Sequence, residues 1–186
     1  MSIDSDDYED EGYEETTLSD EEISDLISET KFVTTKDLDS IKKPSRTDGG
    51  YLRSKITIYG ELGNRFEIHI RENPRIQGDF SIILAFRPVG HDKGLNLRRY
   101  NGNSHPHTNA IEGSKIKRGQ FHIHQATKRY QEAGHKAEDY AEPTDKYKTL
   151  QEAIEVMIVE CQLRIRKMYS IEDFSRELND FSKRHH

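Results

Sequence analysis

The middle of the chain alternates apolar and polar residues with a period of two. Ile56 and Ile58 begin this pattern, Gly60 to Gly63 interrupts it with a turn, and the segments Phe66–Ile70 and Phe80–Phe86 continue it. Residues two apart lie on the same face of a strand, so the pattern predicts successive strands, the first two of which form a hairpin. A soluble chain with this pattern folds around a largely antiparallel sheet.

The end of the chain changes to the helical period of about 3.6. Leu95–Tyr100 and Gln120–His124 are the fourth and fifth predicted strands, and a shorter helix is predicted for Ala126–Ala133. A capping box at Thr149–Glu152 then opens an apolar stripe that continues to Met168, and Ser170 begins one more helix. The predicted fold class is α+β: an antiparallel sheet of about five strands packed against C-terminal helices.

The beginning of the chain is acidic. Residues 1–30 contain thirteen Asp or Glu residues and no Lys or Arg. Residues 1–17 are too polar to bury enough apolar surface to offset the conformational entropy lost on folding, so we expect them to be disordered. Ser19–Glu22 is a capping box that predicts a short helix to about Thr30, and Thr34–Gly50 reads as a connector. The sequence therefore predicts an acidic arm with a short helix and linker over residues 1–50, and a single α+β domain over residues 51–186.

The excess of positive charge lies in one window. Residues 86–130 have nine Lys or Arg and two acids, and they contain five of the nine histidines, including His91. Such a window favours an anionic partner, because binding phosphates releases counterions. The predicted partner is nucleic acid, and RNA in particular. The alternative is a solvated face whose charges are scattered in space. The candidate nucleic-acid-binding residues are Arg98, Arg99, Lys115, Lys117, Arg118, Lys128, Arg129 and Tyr130.

Two His-x-His pairs stand out within this window. His122 and His124 share the face of a predicted strand, while His105 and His107 lie in a loop rich in Gly, Asn and Pro. One imidazole that takes a proton and another that supplies one, beside a cation such as Arg99 or Lys128, are the groups needed for metal-independent RNA cleavage. These four histidines are the candidate catalytic residues, and no cofactor is predicted. A four-nitrogen metal site and a purely structural hydrogen-bonding role are the alternatives.

Other chemistries have little support in the sequence. There is no phosphate-binding glycine loop and no nucleophile elbow, and the single cysteine, Cys161, belongs to the apolar helical stripe. A chain with one cysteine and no run of about 20 apolar residues is expected to be cytoplasmic, with no leader and no membrane partner.

Five segments of the chain carry a resemblance: Arg99–Gly102, His105–Asn109, Phe121–His124, Ala126–Gln131 and Ala141–Asp145. They resemble an uncharacterised family of small proteins from bacteria, archaea and their mobile elements. Their order is more remotely similar to that in TumE-like toxins of toxin–antitoxin pairs. The resemblance implies a protein of mobile-element, toxin or defence type. The chain departs from these proteins in its long acidic N-terminus and extra C-terminal helix, and it lacks the pattern of two-histidine phosphoesterases.

The acidic arm admits three roles. It could fold back over the basic surface and compete with nucleic acid, act only as a solubility tail, or imitate nucleic acid and bind a basic partner protein. The last role belongs to the alternative function class, a non-enzymatic inhibitor or accessory protein that acts through residues 1–30 or through an apolar surface.

Overall fold

One large sheet organises the part of the chain that the computed structural model describes, residues 17–90 and 94–166. Its nine strands are β1 (Lys31–Val33), β2 (Arg46–Asp48), β3 (Tyr51–Gly60), β4 (Arg65–Glu72), β5 (Phe80–Phe86), β6 (Leu95–Asn101), β9 (His122–Gln125), β10 (Tyr140–Pro143) and β11 (Leu163–Ile165). A separate hairpin pairs β7 (His107–Thr108) with β8 (Lys115–Ile116). The helices are α1 (Asp20–Ser28), α2 (Thr35–Lys42), α3 (Lys128–Glu132), α4 (Leu150–Glu160) and a 3-10 helix at Ala137–Asp139.

The strands are mostly antiparallel and lie in the order β10, β9, β6, β5, β4, β3, β1, β11, with β2 also pairing to β3. Among the described strands, only β1 and β11 pair in parallel. The predicted α+β class and the largely antiparallel sheet are confirmed, but the sheet has nine strands where about five were predicted. The additional strands β1, β2, β10 and β11 have only three or four residues each, which is too short for a period-two pattern to register.

Helices cover one face of the sheet. Ile68, Ile82 and Leu84 from the central strands are fully buried there. They belong to one apolar core with Ile23 of α1 and Ile154 of α4. The short helix predicted for residues 20–30 is confirmed as α1, with both hydrogen bonds of its capping box present. The opposite face of the sheet, called the open face below, carries the polar residues of the same strands.

The last described helix is shorter than its apolar stripe predicted. α4 ends at Glu160, and Gln162 then adopts a left-handed conformation with φ of 52°. This residue turns the chain so that β11 can pair with β1, which makes the prediction of one helix as far as Met168 wrong. Ile165 fits the stripe in sequence, yet it lies on a strand and is 59% exposed. The helix predicted from Ser170 lies outside the described residues, as do residues 1–16 of the segment 1–17 that was predicted to be disordered.

The predicted connector between Thr34 and Gly50 is structured. Thr34 and Asp37 form a second capping box, which begins α2, and β2 follows. Ile41 of α2 is fully buried in the core. The connector prediction was wrong because α2 has only two apolar residues, Leu38 and Ile41, and one pair three positions apart is too short to establish a helical period.

No helix in the described ranges has the length and apolar character required to cross a membrane.

Candidate functional site

Cations and imidazoles lie in register across the open face. One row of paired residues runs Lys55, His69, Ile83, Arg99 and His124 from β3 to β9. The neighbouring row runs Arg53, Arg71, Ser81, Asn101 and His122. Side chains directly opposite one another in an antiparallel sheet have Cβ atoms about 5 Å apart, so the two rows form one continuous polar band.

A cleft of about 710 Å³ lies over this band and is called the open-face cleft below. Its charged or ionisable lining residues are Lys43, Asp48, Arg53, Lys55, His69, Arg71, Arg99 and His105. Five are Lys or Arg and one is acidic. The lining of the cleft is therefore complementary to an anion.

The carboxylate of Glu67 holds several cationic or ionisable side chains at one end of the cleft. Glu67 contacts Lys55 at 2.8 Å, Arg87 at 2.7 Å and His69 at 2.9 Å. Burial by itself would raise the pKa of Glu67, but the hydrogen bonds from these three side chains outweigh it and lower the pKa to about 2. Glu67 is thus an anion at neutral pH, and it fixes one end of the cleft.

The other end of the cleft is held by Glu138. This buried carboxylate forms an ion pair with Arg99 and accepts a hydrogen bond of 2.8 Å from Asn96. Glu138 therefore fixes the orientation of the Arg99 guanidinium group at the cleft.

The structure brings the two His-x-His pairs into one cluster. The ring centroids of His107 and His124 are 4.6 Å apart, those of His122 and His124 are 5.1 Å apart, and those of His105 and His122 are 5.3 Å apart. The segment that follows β6 brings two histidines against β9. His105, in the loop, lies beside His122, and His107, at the start of β7, lies beside His124. The four rings nevertheless have different environments.

His122 and His124 are buried and neutral. Their Nδ1 atoms lie 3.1 Å from the carbonyl of Gln120 and 2.9 Å from the carbonyl of Glu138, and because a carbonyl only accepts, each Nδ1 must carry the proton. Their Nε2 atoms then accept hydrogen bonds from the amide group of Asn101, at 3.3 and 3.1 Å. Burial lowers the pKa of His122 to about 4 and that of His124 to about 2. These rings hold Asn101 in place and do not line the cleft.

His107 and His105 are partly exposed. Nε2 of His107 donates to the carbonyl of Asp139 at 2.8 Å, which ties its ring to the 3-10 helix. His105 lines the cleft, and its Nδ1 lies 3.3 Å from the hydroxyl of Ser104. Burial and then the charge of Arg71 lower the pKa of His105, while Asp79 opposes them. Of the four predicted catalytic histidines, His105 is the one that reaches the cleft.

The described residues include no group of three His, Cys, Asp or Glu side chains arranged to hold a metal ion. The hydrogen bonds of the cluster explain this, because both nitrogens of His122 and of His124 are already engaged.

Most of the predicted nucleic-acid-binding residues lie away from the cleft. Arg98 points to the helix-covered face and pairs with Glu160 at 2.9 Å, Lys128 pairs with Glu132, and Arg129 and buried Tyr130 both contact Glu112. Three more, Lys115, Lys117 and Arg118, are exposed on or just after β8. Arg99 alone of the predicted set lines the cleft, and His91 falls outside the described residues.

The sequence assigned no site role to Arg53, Lys55, His69 and Arg71, which line the cleft, or to Asp79 and Ser104, which lie beside it. A signal for the first four was available, because they alternate with the apolar residues of β3 and β4 and so had to share the open face. These four residues lie outside residues 86–130, however, so the count of charges along the sequence did not connect them to the basic window.

Comparisons of the chain with protein-family models, with curated proteins and with solved structures gave no match.

Proposed function

We propose that the protein binds a single strand of RNA in the open-face cleft. The observation that carries this proposal is the register of Arg53 and Lys55 on β3, Arg71 on β4 and Arg99 on β6, which gathers four of the five lining cations in one band. Guanidinium groups bind phosphate oxygens through two parallel hydrogen bonds, so a phosphodiester backbone is the ligand that matches this lining.

The size of the cleft supports the same ligand. The cleft volume of about 710 Å³ fits a few nucleotides of one strand and is too small to enclose a duplex. A protein of mobile-element, toxin or defence type, which remains a prediction, would use such a site on cellular RNA.

Binding can be measured by fluorescence anisotropy with a labelled single-stranded RNA, alongside DNA of the same sequence and a duplex. The cleft variant is Lys43→Gln, Arg53→Gln and Arg71→Gln combined. The matched control is Lys115→Gln, Lys117→Gln and Arg118→Gln combined, which removes the same charge from exposed positions outside the cleft.

We expect the cleft variant to bind RNA about tenfold or more weakly, with a shallower dependence of affinity on salt, because fewer counterions are released. The control should change affinity by less than about threefold. Circular dichroism of both variants verifies that they fold. Equal weakening in the two variants, or no binding of RNA by the unmodified protein, would contradict the proposal.

A further inference from the structure

We propose that RNA bound in the open-face cleft is cleaved there, with His105 as the base that removes the proton of the attacking 2′-hydroxyl, and with Ser104 and Asp79 as its positioning residues. This inference rests on the proposed RNA binding and adds a reaction to it.

A hydrogen-bonded chain fixes the proton on His105. Asp79 is 8% exposed, and its Oδ2 accepts hydrogen bonds of 3.1 Å from the hydroxyl of Tyr51 and from the amide of Asn73. Its Oδ1 lies 3.2 Å from the hydroxyl of Ser104, and because a carboxylate only accepts, Ser104 must donate. The oxygen of Ser104 is then the acceptor for Nδ1–H of His105 at 3.3 Å.

This arrangement leaves Nε2 of His105 with a lone pair. No hydrogen-bond partner for that nitrogen exists among the described residues, and the ring lines the cleft. Each of the other three rings of the cluster has Nε2 bonded to Asn101 or to a carbonyl. His105 is therefore the imidazole of the cluster that can accept a proton from a ligand.

The neighbours of His105 favour its neutral form. The charged and titratable groups that face it are Arg71 from β4, Asp79 before β5, Arg99 from β6, His107 from its own loop and His122 from β9. Burial and the two arginines lower the pKa of His105, and Asp79 is the opposing charge. A neutral imidazole at neutral pH is the form a general base requires.

His69 supplies a second imidazole to the cleft, and it can protonate the leaving group. His69 lines the cleft two residues from Arg71 on the same face of β4, a separation of about 7 Å along the strand. Its Nε2 is bonded to Glu67 at 2.9 Å, which leaves Nδ1 for a ligand. A phosphate on Arg71 would lie between His105 and His69.

The proposed reaction balances without a metal or a further reactant. Nε2 of His105 takes the proton of the 2′-hydroxyl while the 2′-oxygen bonds to the adjacent phosphorus. The bond from phosphorus to the 5′-oxygen breaks, its electron pair stays on that oxygen, and Nδ1–H of His69 supplies the proton. The products are a 2′,3′-cyclic phosphate and a 5′-hydroxyl end. Arg71 and Arg99 stabilise the negative charge that develops on the non-bridging phosphate oxygens.

The first test separates cleavage from binding. Purified protein is incubated with labelled RNA, with 2′-O-methyl RNA and with DNA, all in the presence of a chelator. We expect cleavage of RNA alone, with a cyclic phosphate at the new end, and binding of 2′-O-methyl RNA without cleavage. His105→Gln should lower the cleavage rate at saturating RNA by about a hundredfold or more.

The outcomes of this test are distinguishable. RNA that is bound but never cleaved overturns the present inference and leaves the proposed function standing. RNA that is not bound overturns both. Cleavage that survives in His105→Gln overturns the role of His105.

The second test concerns the roles of the individual groups. Asp79→Asn removes the charge that opposes Arg71, so the acidic limb of the pH–rate profile should move to lower pH. Ser104→Ala should lower kcat about tenfold at similar KM, and Ser104→Thr, which keeps the hydroxyl, should restore it. An unmoved limb in Asp79→Asn, together with full activity in Ser104→Ala, would overturn the positioning roles.

A substrate with a bridging 5′-sulfur tests His69, because a thiolate leaves without being protonated. This substrate should restore cleavage by His69→Gln and should not restore cleavage by His105→Gln. Equal behaviour of the two variants would overturn the division of roles between base and acid.

Discussion

At the residue scale, the two buried histidines determine how the protein responds to acid. His122 is 0% exposed and His124 is 4% exposed, and both are held neutral with Nδ1 protonated. Their Nε2 atoms share the amide of Asn101, so neither ring can gain a proton without breaking a hydrogen bond. We therefore interpret the cluster as one exposed base, His105, supported by buried rings that set the geometry around it.

The burial of these rings gives the first stability prediction. Burial lowers the pKa of His122 to about 4 and that of His124 to about 2, whereas an unfolded histidine titrates near 6.5. The unfolded chain binds more protons between these values, so the stabilisation is complete above about pH 6.5 and is lost as pH falls towards 4. For each ring, the unfolding free energy should fall by about 1.4 kcal/mol for every pH unit of acidification in this range.

Urea denaturation at several pH values between about 7 and 4.5 measures this loss. His124→Gln should reduce the pH dependence, while the matched control His135→Gln, at an exposed position, should leave it unchanged. If His124→Gln and the unmodified protein lose stability in parallel, the buried neutral state of His124 is contradicted.

At the scale of elements, one lysine joins the ends of two helices. Lys31 on β1 is fully buried, and its ammonium donates to the carbonyls of Ile27 at 2.9 Å, Glu29 at 2.8 Å and Cys161 at 3.3 Å. These carbonyls belong to the last turn and the C-cap of α1 and to the C-cap of α4, where a cation is favourable. The same ammonium lies 4.5 Å from the ring centroid of Phe66, over the core.

The burial of Lys31 predicts greater stability at alkaline pH. Burial lowers its pKa to about 8 from the usual value near 10.5, and the nearby charge of Glu29 opposes this only in part. Between these two pH values the unfolded chain holds a proton on Lys31 that the folded chain has lost. The contribution of Lys31 to the unfolding free energy therefore increases as pH rises above about 8, and this gain is lost as pH falls back through 8. The difference in unfolding free energy between the unmodified protein and Lys31→Met should therefore grow by up to about 1.4 kcal/mol per pH unit above pH 8. A constant difference across this range contradicts the prediction.

Elements differ in how well the sequence predicts them. The β3–β4 hairpin was predictable because eight pairs of residues repeat one alternation. β1 and β11 were not, because three residues establish no period and their parallel pairing joins Lys31 to Leu163. The two His-x-His pairs could be recognised by their spacing and basic surroundings, but their meeting depends on how the chain returns from β6 to β9. Asp79 and Ser104 could not be added to them, because a bend before β5 and a loop after β6 carry no pattern that connects them.

At the scale of the whole molecule, charge is divided between the N-terminal residues and the open-face cleft. Residues 1–16 contain eight acids and no Lys or Arg, while the cleft presents five cations and one carboxylate. Deleting residues 1–30 would not test this relation, because Ile23 and Ile27 of α1 are part of the core. Removing residues 1–16 keeps α1 and its capping box.

We expect removal of residues 1–16 to strengthen RNA binding by several-fold at low salt, and to have little effect above about 0.5 M salt, because screening shortens the reach of the acidic residues. Replacing the eight acids by Asn and Gln in the full chain should have the same effect, which distinguishes charge from length. If the arm instead binds a basic partner protein and leaves the cleft alone, both variants will bind RNA as tightly as the unmodified chain at every salt concentration. Equal affinities therefore contradict competition between the arm and RNA, because eight negative charges that reach five cations must weaken the binding of another polyanion to them.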